Sequence, residues 1–443
     1  MLYKIVPNNL VSTVKIPAEL KEELKNSKEV AIKYGLQTQK IEVIAESSLS
    51  KDRLSLSTNT IHELSLPLEG LYELKVNGEE IIIGPYIGIL AALTSDSLEK
   101  LLPSLSTYVN KYERIGGSIM AFALDGVDQE NHCIQGYLYN PSNAMWNKGI
   151  YKYPNSLFSI VEASLTDKWK AYQSIMYHFR SYLGNRVFNF PNFSKWEMNK
   201  MLTKEFHSYL PETVVYKDAD DILNMLDKHG NIFIKPVNGR LGKLVYKAVL
   251  TKSGAIIHYG KNGNQKERQF HTKKHFRYFF QSRLSGGEYI IQKSIDLITY
   301  HHRVMDLRVI MVKDQNKRWR LLGMLTRFGA NGSIVSNITA GGRAEMASKT
   351  FRKRLGLPRD IQKRLYRQIK DITFHSIKEV EAHGYHCGNI GFDIGIDQNL
   401  KPWIIEINNQ NPDHYIALAA GSRSLFYRAR MMNMLYAKSL AGF

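Results

Sequence analysis

Only two cysteines occur in 443 residues, Cys133 and Cys387, far apart and in no C-x-x-C pair. That scarcity excludes a disulfide framework and a cysteine-based zinc site, and it fits a reducing cytoplasm. Long apolar runs are also missing. The most hydrophobic stretch, residues 81–93 (IIIGPYIGILAAL), is too short to span a bilayer and is broken by Gly84, Pro85 and Gly88. The N-terminus, MLYKIVPNNLVSTVKIP, has no continuous apolar segment and alternates like a strand, so neither a signal peptide nor a membrane partner is expected. No G-x-x-x-x-G-K-[ST], C-x-x-C finger, RNP-like aromatic strand, nucleophile elbow, internal repeat or low-complexity tract is present. A P-loop is thereby excluded, and nucleic acid is not the expected partner.

Acidic residues are in short supply: 60 Lys and Arg face 41 Asp and Glu, a formal net charge of +19. Such a field attracts polyanions, from nucleotides to acidic peptides. Part of it falls in residues 351–370 (FRKRLGLPRDIQKRLYRQIK), where Leu355, Ile361, Leu365, Ile369 and Ile372 keep near-helical spacing. The segment reads either as a packed helix with a solvated basic face or as a docking surface for an acidic partner. Hydrophobic residues at 44% and charged residues at 23% are an ordinary globular balance, enough for roughly two to four domains.

Three zones follow along the chain. Residues 1–80 alternate apolar and polar in short runs punctuated by Asn-Gly and Pro, which predicts a small β-rich domain with hairpins. Residues 81–190 mix strands (IIIGPYIGIL, GSIMAFAL, CIQGYLY) with a helical stretch near 97–114, an α/β unit. Residues 191–443 alternate strands and helices and contain every strong motif, with lobes at about 191–287 and 288–443.

Four elements in the last zone carry chemistry. In NIFIKPVNGRLGKLVYKAVL, Lys235 closes a strand before a turn whose Gly239 and Gly242 let backbone amides approach phosphate. Taken alone, glycines between two strands more often mark a plain hairpin. EYIIQKSIDLITYHHRVMDLRVIMV offers a strand ending in Gln292, Lys293, Ser294 and Ile295, whose backbone can meet an adenine edge, then Asp306 and Arg308 on the next strand. LLGMLTRFGANGSIVSNITAGGR places Arg327, Ser336 and Asn337 ahead of Gly341 and Gly342; a planar guanidinium suits phosphate. In GFDIGIDQNLKPWIIEINNQNP, Asp393 and Glu406 lie on two strands of a hairpin with Asn408 beyond, three hard oxygen donors of the kind magnesium takes. His383, His386 and Cys387 match no zinc spacing and read as structural, with Gly384 ending a helix. Residues 300–303 (YHHR) read as a mobile loop.

In their chain order these elements resemble the ATP-grasp superfamily, and within it the ribosomal-protein glutamate ligases and their peptide-ligase kin. The resemblance implies an α/β (α+β) architecture: an ATP-grasp fold of two α+β lobes, preceded by an α/β pre-ATP-grasp domain and the N-terminal β-rich domain. Across nearly the whole length the chain resembles the YheC/YheD family of endospore-coat-associated ATP-grasp proteins. GPYIGIL, GYLYNPSNAMWNKGIYKYPNSLF, FSKWEM, LPET, DLRVIM and SIVSN…GG carry that likeness. It implies ATP and Mg2+ as cofactors, a sporulating Firmicute, and a cytoplasmic protein associated with the spore coat. By the same resemblance Lys195 and Lys235 contact ATP, residues 292–295 form the adenine hinge, and Asp306 is a ribose-side acid. Ser336 and Asn337 border the nucleotide, Asp393, Glu406 and Asn408 hold magnesium, and Arg308 and Arg327 face the transferring group.

The implied reaction is carboxylate–amine ligation through an acyl phosphate, on an acidic peptide or protein acceptor such as a spore-coat protein. Several positions depart from the family pattern. Lys243 replaces a glycine of the loop, Gln292 replaces a frequent hinge glutamate, and Pro412 lies one residue further from Asn408 than usual. Val335 and Ala340 stand where the ligases have arginines. The last two departures point at the substrate and keep a nucleotide-binding coat protein without turnover as the alternative, ahead of a general polyanion binder.

Overall fold

The computed structural model describes residues 1–161, 167–239, 243–261, 264–334, 336, 341–412 and 414–443. The chain divides into two compact units, one of Met1–Pro191 with Lys313–Arg318 and Arg430–Phe443, the other of Asn192–Val312 with Trp319–Ala429. A division at residue 190 therefore misses two returns of the chain to the first unit.

The first unit opens with seven strands in a closed barrel. Period-two alternation sets it up: Glu29–Tyr34 buries Val30, Ile32 and Tyr34 while the residues between them face outward. Gly35, at φ 59°, lets that strand fold back onto Gln37–Ala45 with Tyr34 opposite Gln37. A six-stranded sheet follows. Tyr86–Ala92 lies at its centre, buried at every position, parallel to both Ser118–Asp128 and Ser156–Ser159. A parallel strand covered on both faces is apolar throughout, which is why residues 81–93 are the chain's most hydrophobic run.

The second unit holds two antiparallel sheets. In the first, Thr213–Val215, Tyr289–Lys293, Asn231–Pro236, Tyr246–Thr251, Gly254–Lys261 and Asn264–Phe270 are neighbours in that order. Helices Ala219–His229 and Lys273–Leu284 supply Leu226, Phe276 and Phe280 to a core with Ile232, Ile234 and Ile257 of this sheet. In the second sheet the order is Arg343–Met346, Trp319–Phe328, Arg303–Lys313, Asn389–Ile396, Pro402–Asn408. The long helix Arg359–Ala382 packs Leu365, Ile369 and Val380 against it, and Lys195–Phe206 adds Met198 and Leu202.

Two local expectations change. Residues 300–303 are a tight hairpin rather than a mobile loop, since Tyr300 pairs with Arg303 and both His301 and His302 take positive φ (48° and 59°), the backbone of a two-residue turn. Residues 351–370 are not one helix. A π-turn at Thr350–Arg354 ends before Gly356, at φ 60°, and Arg359–Ala382 starts afresh after Pro358. Gly384, at φ 84°, does follow the end of that helix. Among the described residues no helix is long and apolar enough to cross a membrane.

Candidate functional site

Lys195 begins a helix held by a capping box: Ser194 Oγ accepts from the Glu197 amide, and the Glu197 carboxylate accepts from the Ser194 amide at 2.7 Å. The Lys195 amide itself donates to the Val237 carbonyl, which docks the helix start on the chain just past the Asn231–Pro236 strand. Its ammonium then reaches the Gly239 carbonyl and lies 3.4 Å from Glu406. One lysine thus touches the glycine turn following the first sheet's strand and the acidic hairpin of the second sheet.

Lys235 sits on the first sheet with Nζ donating to Gln292 Oε1 at 2.7 Å. Gln292 Nε2 in turn donates to Thr213 Oγ1 at 3.0 Å, and the three strands carrying these residues are neighbours in register. Burial pushes the Lys235 ammonium down to about 8, opposed by the Glu406, Asp393 and Asp306 carboxylates and reinforced by the Lys195 charge. With the hinge glutamate replaced by Gln292, the partner of this ammonium is a neutral amide.

On the second sheet the two acids and two arginines interlock. Asp393 lies opposite Arg308 on one side and Glu406 on the other. Arg308 donates to both Asp393 oxygens at 2.6 and 3.3 Å, and Arg327 bridges Asp393 (2.9 Å) to Asp306 (2.7 and 2.5 Å). Ser336 Oγ donates to the same Asp306 at 2.5 Å. The two guanidiniums hold the Asp393 carboxyl below its ordinary range against the opposing effect of burial. Burial disfavours the Arg327 charge, but the Asp306 and Asp393 carboxylates outweigh it and raise its pKa. Gly391 leaves room for this crossing, since a Cβ there would stand 3.3 Å from Arg308 Cδ and 2.9 Å from Pro412 Cβ.

These contacts decide which expected residues gather. Lys235 with Gln292, Lys195 with Glu406, and Asp306, Arg308, Arg327 and Ser336 around Asp393 form three contact groups; Asp393 stands opposite Glu406 in the hairpin, and the Glu406, Asp393 and Asp306 charges act on Lys235. Asn408, opposite Gly391 on the Glu406 strand, ends the same hairpin. The hinge is partly consumed by the sheet: the Lys293 amide donates to Glu212 O and the Ser294 amide to Asn231 O, and Ile295 follows as the next residue. Gly242 and Asn337, and the departures Val335 and Ala340, lie outside the described residues. Thr213 was not foreseen as part of the cluster, because nothing local in LPET shows that its hydroxyl faces Gln292; only strand register does.

The donor set can be tested against magnesium. Among the described residues no three His, Cys, Asp or Glu side chains gather as a metal cluster. Two carboxylates and an amide oxygen are nevertheless a common magnesium complement when phosphates and waters complete the octahedron. A carboxylate offers about four lone-pair directions, of which Asp393 uses three on guanidiniums. Glu406, paired only loosely with Lys195, is the more available acid. The set fits a cation held chiefly by Glu406 and Asn408.

A strand carrying Lys235 on one antiparallel sheet, with Gly239 shortly after it, and an acid-bearing hairpin on a second sheet belong to an ATP-grasp protein. The family follows from the comparison of the chain with known sequences: it belongs to the YheC/D-like ATP-grasp family, whose model matches residues 184–440, more than half of the chain. The endospore coat-associated protein YheD of Bacillus subtilis (strain 168) is 25% identical over 366 residues, covering 80% of this chain and 79% of that one. YheC of the same organism, also described as endospore coat-associated, is 20% identical over 284 residues, 62% of this chain and 76% of that one. Among solved structures, the ATP-grasp ligase PsnB complexed with a minimal precursor aligns with a TM-score of 0.44 at 14% identity, over 79% of this chain and 99% of that one.

Proposed function

We propose that this protein is an ATP- and magnesium-dependent carboxylate–amine ligase acting on an acidic peptide or protein acceptor, in the cytoplasm and in association with the spore coat. The observation that carries the reading is the position of Lys195, whose ammonium meets both the glycine turn and Glu406. A polyphosphate lying between those two features would meet Lys195 and Lys235 from one side and the acidic hairpin from the other. Glu406 and Asn408, with the remaining lone pair of Asp393, would hold the magnesium ion, which supplies charge neutralisation along the phosphates.

In the first step a carboxylate oxygen of the substrate bonds to the γ-phosphorus and the bond from that phosphorus to the β-bridging oxygen breaks, releasing ADP. In the second an amine nitrogen bonds to the acyl carbon, the C–O bond to phosphate breaks, and phosphate leaves with the electron pair while the nitrogen loses a proton. Lys195 and Lys235 bind and orient the phosphates, with Ile295 closing the adenine hinge. Arg327 and Arg308, fixed by Asp306 and Asp393, hold positive charge at the transferring group. Their rigidity costs no reorganisation when the charge moves. In this reading residues 191–443 carry the chemistry.

A second reading, nucleotide binding without turnover, is favoured by the three guanidinium bonds on Asp393 and by Val335 and Ala340 where ligases have arginines. One experiment separates them. A non-hydrolysable ATP analogue with magnesium, at about 100 times its dissociation constant, should stabilise the protein by roughly 2.7 kcal/mol. Glu406→Gln with Asn408→Ala should remove the magnesium-dependent part of that shift. Absence of any thermal shift with millimolar ATP or GTP analogue would sink both readings. A shift with no ADP release, across acidic peptides screened by mass spectrometry, would leave the second.

A further inference from the structure

The strand Met145–Lys152 is the outermost of its six-stranded sheet. It pairs on one side with Cys133–Asn140, and among the described residues no strand lies on the other. Its register with that neighbour runs without a bulge from Met145 opposite Asn140 to Lys152 opposite Cys133. Asn147 and Lys148 are exposed, and so are two apolar side chains, Met145 at 60% and Ile150 at 70%. An open edge offers unpaired N–H and C=O groups to any strand laid beside it, so folded proteins shorten, cover, bulge or charge their edges.

The other described edges follow that rule. The N-terminal strands close into a barrel. Val187–Phe188, Thr213–Val215 and Arg343–Met346 are two, three and four residues long. Asn264–Phe270 carries Lys266, Glu267 and Arg268 in succession. Pro402–Asn408 starts with proline and has no exposed residue. Met145–Lys152 is long, regular and open. Its lysines do not guard it, because both lean back over their own sheet. Lys148 Nζ lies 3.1 Å from Glu99 of the helix Ser95–Leu105 and 5.8 Å from the ring centre of Tyr137, its cross-strand neighbour. Lys152 Nζ lies 3.5 Å from the Asn131 carbonyl, in the turn before that neighbouring strand.

We propose that this edge pairs antiparallel with the same edge of a second copy of the chain, about a two-fold axis through Gly149. Opposite residues of an antiparallel pair point to the same face of the sheet, so the axis must pass through a residue rather than between two. Two registers centre near the middle of the strand. An axis through Lys148 sets that lysine against itself, and like charges directly opposite are destabilising. An axis through Gly149 opposes no like charges. Lys148 then faces Ile150 of the second copy, where its alkyl stem covers the exposed apolar side chain. Asn147 faces Tyr151, and Trp146 faces Lys152, a pairing of ammonium with indole.

The residue at the axis suits the approach. A Cβ on Gly149 would stand 2.7 Å from the Tyr151 hydroxyl, which donates to the Asn147 carbonyl at 2.8 Å. Glycine therefore lets the tyrosine lie along its own strand and leaves bare backbone where the two copies cross. A strand of another protein would use the same N–H and C=O groups, but the self-complementary order of charge around Gly149 selects a second copy. Pairing from Trp146 to Lys152 covers roughly 24 Å of strand. That is a contact at the small end of specific interfaces, so the dimer is reversible, with a dissociation constant on the order of micromolar. Dimerisation does not depend on the nucleotide reading.

Sedimentation velocity of the full chain over a range on the order of 1–100 μM tests this. The parent protein should pass from monomer to dimer as concentration rises. Ile150→Lys sets lysine against Lys148 at two symmetric places and should weaken the dimer by about tenfold or more. Ile150→Glu sets an acid there instead and should keep the dimer at parent strength or tighter. In the register centred on Lys148, residue 150 faces Trp146, and glutamate would do no better than lysine. Because Ile150 is exposed, both variants should melt as the parent does and keep its thermal shift with the ATP analogue, which scores folding and nucleotide binding apart from association. A parent protein that stays monomeric would leave the edge unused. A dimer indifferent to both variants would place the interface elsewhere. A dimer lost equally with both would remove the Gly149 register; each of these overturns the proposal.

Discussion

Lys235 is held in a conflict that a nucleotide would relieve. Burial pushes its ammonium down to about 8 from an ordinary 10.5, and its direct partner is the neutral Gln292 amide. Polyphosphate restores the charge, so binding above pH 8 must take up a proton. Affinity for an ATP analogue is therefore expected to be flat up to about pH 8 and to fall by up to about tenfold per further pH unit. Isothermal titration across that range checks it, with Lys235→Met flattening the profile; a flat profile in the parent protein would show that Lys235 stays charged or stands away from the phosphates. The sign follows from a folded pKa below the unfolded one: in the apo protein the unfolded chain binds more protons between about 8 and 10.5, so this lysine alone makes stability rise with pH there. The lysine was legible in the sequence because it ends an apolar strand before glycines. Its titration was not, because Gln292 meets it only through sheet register, Thr213 holds Gln292 in the same way, and the Glu406 charge comes from a different sheet.

The acidic hairpin Asn389–Ile396 with Pro402–Asn408 holds two acids of opposite character, although both read alike in the sequence. Asp393 is locked between Arg308 and Arg327, while Glu406 faces Lys195 at 3.4 Å with about a quarter of its side chain exposed. Removing one member of a buried ion cluster leaves uncompensated charge at a cost of about 3–5 kcal/mol. Asp393→Asn, which leaves Arg327 with Asp306 and takes from Arg308 its carboxylate partner, should therefore lower the apo melting temperature by on the order of 10 °C. Glu406, partly exposed and only loosely paired at 3.4 Å, contributes less, so Glu406→Gln should cost no more than about 1 kcal/mol. Differential scanning calorimetry of the two variants decides it; equal melting points would mean that the Asp306–Arg327–Asp393–Arg308 chain does not hold the sheet together. The hairpin, its turn and the acids were readable from alternation and from an apolar strand with an inward glutamate. The arginines were readable only as phosphate partners, since a sequence does not show that a nearby strand supplies them with carboxylates. The basic segment 351–370 shows the same limit: its helical spacing was visible, but the break at Gly356 and Pro358, and the loss of Arg354 to Glu345, were not.

At the scale of the whole molecule, the chain ends in the unit where it began. Residues from Arg430 onward belong with Met1–Pro191, and Met434, Tyr436 and Ala437 enter the core beneath the sheet of Tyr86–Ala92. The sequence divides at about 190 by motif density, and the helix Arg423–Leu440 shows an apolar face without showing what it meets. Specific contacts supply the answer. Arg430 donates to the Ser104 carbonyl at 2.8 Å, Lys438 pairs with Glu73 at 2.6 Å, and Gly84 has no Cβ where the Phe443 ring lies. Tyr436 is 1% exposed, packs edge-on to Phe188 at 4.9 Å and meets Lys313, itself one of the returning segments. Truncating a large buried aromatic to alanine costs about 3–5 kcal/mol through lost burial and the cavity left behind. Tyr436→Ala should thus destabilise the first unit while leaving the second intact. Hydrogen exchange followed by mass spectrometry would report this as faster exchange in Tyr86–Ala92 and Ser118–Asp128, with Asn389–Ile396 unchanged, because local opening tracks the stability of the cooperative unit to which a strand belongs. If exchange rises equally in both units, they unfold as one and the last helix is a stay for the entire chain; if it rises in neither, Tyr436 is a surface prop and the first unit is complete without the C-terminal segment.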